Sequence, residues 1–537
     1  MRLAFVNAPW YDESRPELWG VRAGSRWPHF QRRQGPRLLP RYVPFPFFLA
    51  IAAAAARDRG HEVLLLDAVA ENITVAGSLK RLRSFRPALI FMEVSTPSLA
   101  HDLKVAARYA KIHPKPTLVF CGAHAYPRPG AVPDAWIRGE YDLSPALLAD
   151  AVVGKGRLDE VPGLLFEGAK ISNPPAKVKD VDALPSPLFG SLPMGSYSDP
   201  VCGLPSPSAQ SWTSRGCPFN CSFCVWPQIV YGDRRYRPRS LDAALDEVEL
   251  LIQKHGCESF YFDDDTTNVG EARMVELAGK IQSRGLARYP WSMMARADCM
   301  TPTALEALAA AGMYSVKYGV ESVSPKLLDA CDKGTKLDKL QAALALTRQL
   351  GVRIHLTFTF GIPGETPETI AETTDFALAT APDTAQFSLC TPFPGTRFFD
   401  ECKAKGYLVT DDWSRYLGSD EAVVGTPELP AATLKAGLLE AERRWTEFNR
   451  QRLERRQKAL LEAVRREAAA GRRWTFLGDR DFAAFLWEEP TLAAAHVEEA
   501  TPDAALVIAS RHDEEKLYRR ALRSGATPPL TLKLYEQ

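Results

Sequence analysis

The chain has 537 residues, a formal net charge of +1 with 24% charged residues, and 10 cysteines. It is too long for one ordinary core, so two or three domains are expected, and the near balance of charge removes any general electrostatic case for nucleic acid or an anionic membrane surface. Outside one loop the cysteines are scattered singly, which reads as a reducing, cytoplasmic setting. The first residues enter an apolar run without a signal-peptide pattern. The longest apolar stretch, 46–56, is about half a membrane span, so no spanning segment is expected.

Residues 1–155 alternate apolar runs (3–6, 63–66, 88–94, 118–120, 136–137) with helical patterns (47–59, 75–85, 98–112, 144–153). That alternation predicts an α/β domain with a doubly wound, Rossmann-like parallel sheet. Ligands of such sheets bind outside the carboxyl ends of the strands, here residues 7–10, 93–97, 121–125 and 138–141. Small and hydroxyl side chains gathered on that edge leave room for a large ligand and offer it hydrogen bonds. His61 begins a strand and reads as structural. The insertion 11–46, with Trp19, Arg22, Arg26 and Trp27, is long for a connection; it is expected to fold over the ligand edge or toward the next domain, or to serve as packing.

Residues 156–210 are rich in proline and form an ordered linker, with a small hairpin around Gly168. From 211 to 405 strand-like segments near 211–215, 258–262, 290–294, 314–319, 353–359 and 384–390 again alternate with helices. The first helix, 241–254, has Ser240 as N-cap and Gly256 as its stop. Six such units predict a partial (β/α)6 barrel of the TIM type, with its active residues at the carboxyl ends of the strands. The region 406–537 is expected to be mainly helical, with an apolar stripe through 431–470; the strand-like pieces 505–508 and 530–534 carry no assigned role.

After the first of these strands come Cys217, Cys221 and Cys224, spaced three and then two residues apart. Soft thiolates suit iron and zinc. Three of them on a cubic iron–sulfur cluster leave the fourth iron open to an outside ligand, whereas a structural zinc would want four closed ligands. This CxxxCxxC pattern, with Phe223 before its third cysteine, resembles the signature of radical S-adenosylmethionine (SAM) enzymes. The resemblance implies a [4Fe-4S] cluster whose free iron binds SAM and whose electron cleaves it to a 5′-deoxyadenosyl radical, with the protein positioning the cofactor. It implies SAM contacts from Asp263 or Asp264, in a run of three carboxylates suited to a cation. Arg296 would act as a two-pronged partner for the SAM carboxylate. Gly319, Glu321 and Ser322 match the ribose-binding segment, and Gly361 and Pro392 fall in the adenine-side loops.

The amino-terminal half, set before that signature, resembles the cobalamin-binding domain of cobalamin (B12)-dependent radical SAM enzymes. On this resemblance Pro9, Trp10, Glu93, Val94, Ser95, Thr96, Gly122, Ala123, His124, Gly139 and Glu140 would contact cobalamin. No histidine here has an aspartate two positions earlier, so the resemblance implies base-off cobalamin with no His axial ligand. For His124 a contact to the cobalamin tail and a loop hydrogen bond both stand.

The implied activity is methyl transfer from methylcobalamin to an unactivated carbon, through the 5′-deoxyadenosyl radical. The alternatives are oxidation or cyclisation with the same cofactors, and a non-catalytic sensor with a structural cluster. A methylthiotransferase is disfavoured because the first domain holds only Cys121. The expected partners are a small-molecule or peptide substrate and an external flavodoxin- or ferredoxin-like electron donor, and the expected state is a monomer.

Overall fold

A computed structural model of the chain describes residues 1–8, 18–21, 29–32, 42–124, 132–166, 168, 170–419, 421–498, 504–510, 513–523 and 530–536. Two parallel sheets follow one another and a third, smaller one ends the chain.

The first sheet begins with β1 (Arg2–Asn7); a short antiparallel ribbon, β2 (Leu18–Val21) with β3 (His29–Arg32), lies in the insertion. The remainder of that insertion up to residue 41 lies outside the described residues. Then come α1 (Phe47–Asp58), β4 (Glu62–Asp67), α2 (Val75–Phe85), β5 (Leu89–Ser95), α3 (Leu99–Tyr109), β6 (Thr117–Ala123), β7 (Ala135–Ile137) and α4 (Ser144–Val152). The parallel strands stand in the order β4-β1-β5-β6-β7, with the topological switch between β1 and β5. Leu3, Phe5, Phe91 and Val119 pack in one core with α1 and α4, while Ala4, Val6, Ile90 and Met92 pack in another with α2 and α3. Burial on both faces explains why these strands are continuous apolar runs.

Two expected boundaries shift. The hairpin of β8 (Leu164–Phe166) and β9 (Ile171–Ser172) pairs antiparallel onto β7, so the first sheet continues through the segment read as linker. The first barrel strand, β10, is Ser208–Ser211 rather than 211–215. Ser214–Arg215 (β11) instead pairs antiparallel with Arg237–Pro238 (β12), and the two clasp the base of the cysteine loop.

The barrel continues with α5 (Leu241–His255), β13 (Ser259–Phe262), α6 (Glu271–Ser283), β14 (Trp291–Ala295), α7 (Pro302–Ala310), β15 (Met313–Glu321), α8 (Pro325–Ala330), α9 (Leu337–Gln349), β16 (Arg353–Phe360), α10 (Pro367–Thr380), β17 (Thr384–Leu389) and α11 (Arg397–Ala404). Its six strands are parallel and stand in sequence order, β10-β13-β14-β15-β16-β17. The Ser240 hydroxyl caps α5 by accepting from Ala243 N, and left-handed Gly256 ends it, as its sequence predicts. The floor is closed by residues 199–204. The Cys202 carbonyl accepts from Tyr314 Oη at 3.2 Å, Asp199 pairs with Lys317 at 3.0 Å, and Val201, Cys202 and Leu204 pack on Tyr261.

The helix α12 (Ala431–Ala469) has 39 residues, about 58 Å at 1.5 Å per residue. Leu434 meets Gly361 at the carboxyl end of β16, while Arg452 donates to the carbonyls of Pro382 and Asp383 at the amino end of β17. The helix therefore runs down the open edge of the barrel. Its last turns carry Leu460, Ala463 and Val464 into the core of a parallel sheet of β18 (Trp474–Gly478), β19 (Ala505–Ala509) and β20 (Thr531–Lys533), with α13 (Pro490–Ala495) and α14 (Glu514–Arg523) beside it. The helical carboxyl-terminal region thus also contains a small α/β unit, which gives the strand-like pieces at 505–508 and 530–534 their place. Among the described residues no helix is long and apolar enough to cross a membrane.

Candidate functional site: a thiol-lined cavity at the barrel mouth

The cysteine loop is held from all sides. Gly216 sits at φ +84°, where an added Cβ would collide with the Arg235 carbonyl, so the turn into Cys217 needs glycine. Its N–H donates to Asp265 Oδ2 at 3.0 Å. The Gln228 side chain donates to the carbonyls of Cys221, Ser222 and Cys224 at 3.3, 3.0 and 2.8 Å, and Ser222 N donates to the Cys331 carbonyl at 2.9 Å.

The three thiols line one wall of a cavity of about 230 Å³ that opens at the carboxyl ends of the barrel strands. Phe219, Phe223 and Trp226 join them, and the opposite walls carry Asp265 and Thr266, Arg296, Lys317, Glu321, Lys333, Thr357, Thr359, Gln386 and Ser388. Burial pushes all three thiols above the ordinary cysteine range. Cationic iron would reverse that, since coordination deprotonates a thiol outright. A cluster takes one thiolate per iron and needs no single focus; among the described residues no three His, Cys, Asp or Glu converge on one ion. The donor set and its apolar surround therefore fit a [4Fe-4S] cluster.

Glu321, at φ +66° beside a bulge in β15, accepts from Lys333 Nζ at 2.7 Å and from Thr359 Oγ1 at 3.2 Å. Burial alone would lower the Lys333 ammonium, but Glu321 and the Cys221 sulfur carry its pKa upward overall. Arg296 lies over the Phe219 ring at 3.7 Å and grips Asp298 with two N–H groups at 3.1 and 2.8 Å. Its fork is thus already occupied, unlike the two-pronged role expected of it.

Of the expected SAM contacts, Phe223, Arg296, Gly319 and Glu321 line the cavity, whereas Asp263, Asp264, Ser322, Gly361 and Pro392 do not. Asp264 is fully buried and accepts from Thr213 N and from the Thr213 and Ser214 hydroxyls, so it anchors the loop entrance. Asp263 lies in a small depression with Phe47, Phe48 and Trp212. Asp265 is the member of the run that reaches the cavity. The Ser322 hydroxyl faces Ser324 N and Thr373. At Gly361 (φ +95°) a Cβ would meet Leu434 at 2.8 Å, so glycine there admits α12. Pro392 is buried between Thr391 and Phe393, which do line the cavity. The polar residues missing from the expectation sit two apart on strands: Thr357 and Thr359 on β16, Gln386 and Ser388 on β17. That period-two pattern is the signal that could have found them.

On the first sheet, Pro9 and Trp10 lie outside the described residues. Ser95, Thr96, Gly122, Ala123 and His124 form the carboxyl edge of β5 and β6. His124 Nδ1 is 3.1 Å from Thr96 Oγ1, and its ring lies 5.0 Å from that of Trp413. Ala123 packs beside Val225, Phe393 and Tyr416, bringing this edge against the barrel mouth. Val94 belongs to the core, and Glu93 accepts from the Tyr141 hydroxyl beneath the edge. Glu140 turns away altogether: its buried carboxylate meets Arg237 at 2.7 Å and Arg215 at 3.4 Å, while Asp142 holds Arg215 with two bonds of 2.8 Å. Gly139 bridges Ala176 through its backbone. Glu140 thereby joins the first sheet to the β11–β12 pair, while Gly139 stays within the continuation of the first sheet. This edge borders the switch point between β1 and β5, where ligands of such sheets bind.

Comparison with known proteins gives the following. Residues 213–377 match the model of the Radical SAM superfamily. The chain is 31% identical to an uncharacterized methyltransferase of Pyrococcus horikoshii, over 70% of this chain and 82% of that protein. It is 27% identical to the anaerobic magnesium-protoporphyrin IX monomethyl ester cyclase of Cereibacter sphaeroides, over 78% and 66% of the two chains. Its fold is similar to that of OxsB, a cobalamin-dependent SAM radical enzyme solved with aqua-cobalamin and SAM bound, at a TM-score of 0.61 and 16% identity, covering 86% of this chain and 68% of that one.

Proposed function

The chain belongs to the cobalamin-dependent radical SAM family, and from that premise we propose that it is a methyltransferase acting on an unactivated carbon. When bound, the cluster supplies the electron for reductive cleavage of SAM, and methylcobalamin in its base-off form supplies the methyl group.

Cys217, Cys221 and Cys224 would hold the cluster. Asp265 and Glu321 would take the cationic and ribose ends of SAM, since both carboxylates line the cavity and a carboxylate accepts from ammonium and from hydroxyl groups. Lys333 Nζ, 2.7 Å from Glu321 Oε1, holds that carboxylate turned into the cavity. Phe219, Phe223 and Trp226 keep water from the cysteine wall. Ser95, Thr96, Gly122 and Ala123 would hold cobalamin beside the switch point, with Thr96 bonded to His124. The cobalamin unit would comprise 1–172 and the radical SAM unit 208–405. An external flavodoxin- or ferredoxin-like protein would deliver the electron, and the chain would act as a cytoplasmic monomer on a small-molecule or peptide substrate.

The observation that carries this reading is the meeting of a three-thiol wall with ionisable groups in one barrel-mouth cavity, directly beside the edge of the first sheet. The test incubates reduced, reconstituted protein with SAM labelled at its methyl group and follows 5′-deoxyadenosine, S-adenosylhomocysteine and methylated product together. Labelled product without deoxyadenosine excludes the radical route. The cyclase relative favours a second reading, oxidation or cyclisation without methyl transfer; there deoxyadenosine forms and the label never reaches product.

A further inference from the structure

A second cavity, of about 460 Å³, lies at the opposite end of the barrel, where β15, β16 and β17 begin. Its walls come from the barrel floor, from α12 and from the small carboxyl-terminal sheet unit. The volume is in the range that encloses a small-molecule ligand. The floor segment separates it from the cysteine cavity: the Cys202 carbonyl accepts from Arg353 at 3.2 Å, and the Cys202 sulfur lies 3.4 Å from Thr384 Oγ1.

Three guanidinium groups, those of Arg353, Arg452 and Arg456, reach this space. Each is laid against an aromatic ring: Arg353 over Tyr314 at 4.7 Å, Arg452 over Phe448 at 5.5 Å and Arg456 over Tyr535 at 5.1 Å. Ring faces fix the plane of a guanidinium and leave its N–H edge for other partners. The hydrogen bonds these arginines make go to backbone carbonyls, those of Cys202, Pro382 and Asp383. Among the described residues none of the three is ion-paired, although three carboxylates share the wall.

Those carboxylates also serve other partners, although the charges of Asp383 and Glu515 still support the Arg353 guanidinium. Asp383 accepts from Ile354 N at 2.8 Å, Glu514 from Tyr535 N at 3.0 Å, and Glu515 meets Arg519 at 2.6 Å and Lys533 at 3.5 Å. Burial raises the Glu514 pKa to about 7, which weakens it further as a counter-ion. Burial and the neighbouring Arg456 charge both press the Arg452 pKa down, a repulsion that an anion lying between them would relieve.

We propose that this cavity is a second ligand site, taking a phosphate-bearing small molecule on Arg353, Arg452 and Arg456. A phosphate or diphosphate offers several charged oxygens to rigid N–H forks, whereas a single carboxylate leaves one or more of the cations unmet. Because its walls belong to the barrel, to α12 and to the carboxyl-terminal unit, an occupant would fasten all three together. The site stands independently of the methyltransferase reading.

Calorimetric titration of inorganic pyrophosphate into the full chain, in a low-salt buffer free of phosphate and sulfate, tests it. Saturable binding is expected, unaffected by SAM and weakened at least about tenfold by Arg456→Gln. Arg456→Lys, which keeps the charge but loses the fork, should fall between the two. Among the described residues the Arg456 guanidinium makes no ion pair and lies over the Tyr535 ring, so thermal unfolding without ligand should match that of the wild type. Wild-type protein that takes up no pyrophosphate at millimolar concentration overturns the proposal, as does binding that Arg456→Gln leaves unchanged or that SAM displaces.

Discussion

The two large sheets of this chain build a site in opposite ways. In the first sheet every residue of β5 is buried and each face lies under helices, so only the loops beyond its carboxyl edge can meet a ligand. In the barrel, strands such as β16 alternate buried and half-buried positions, because one face packs on helices and the other looks into the lumen. Thr357, Thr359, Gln386, Ser388, Lys317 and Glu321 therefore reach the cavity from rigid strands, without help from loops. An open sheet holds a ligand at its rim, where small residues make room, whereas a partial barrel surrounds one with side chains fixed by the hydrogen-bonded ladder. Chemistry that needs tight positioning belongs in the barrel.

Substitutions can break or sharpen that contrast, beginning with the largest effect. Cys221→Ala should abolish reductive cleavage of SAM while leaving the fold intact, measured as 5′-deoxyadenosine released by the reconstituted protein. Arg215→Met should do the reverse and unseat the sheets from each other. It strips Asp142 and Glu140 of a buried cation, and breaking such a pair costs about 3–5 kcal/mol, read as a lower urea midpoint.

Asp67, at the end of β4, gives the first sheet its own pH signature. Burial raises its pKa to about 6 against the hydrogen bonds it accepts from Asn7, Tyr197 and two backbone amides. The folded chain holds this proton up to about pH 6 and the unfolded chain only to about pH 4. The resulting stabilisation, about 3 kcal/mol, is present below pH 4 and lost as pH rises through 6. Urea titrations at pH 4 and 7 should show that loss in the wild type and not in Asp67→Asn. Asp265→Asn has the smallest effect: about tenfold weaker SAM binding, near 1.4 kcal/mol, by equilibrium dialysis. Asp263→Asn, outside the cavity, should leave SAM binding as it is, and equal losses in both variants would reassign the carboxylate.

Much of this was legible in the sequence because periodicity reports burial. The strands and helices of the first sheet follow from apolar runs that two covered faces demand, and the cysteine loop follows from its spacing alone. Periodicity says less wherever the direction of a side chain matters. Three consecutive aspartates cannot be ranked without knowing that Asp264 turns inward to Thr213 and Ser214 while Asp265 turns to the lumen. Lys333 belongs to no strand end; it lies past α8, 12 residues from Glu321, and only the fold brings the two together. Glu140 follows a strand as a ligand contact would, yet its partners Arg215 and Arg237 come from a distant part of the chain.

The closed floor has a kinetic corollary. With residues 199–204 stoppering the barrel through Asp199 and Cys202, the described residues close the lumen at its floor and leave it open at the end that faces the first sheet. Whatever sits deepest must arrive first and depart last. If SAM binds there as proposed, its nucleoside part would be held until the molecule above it has gone, a compulsory order of occupancy set by the architecture.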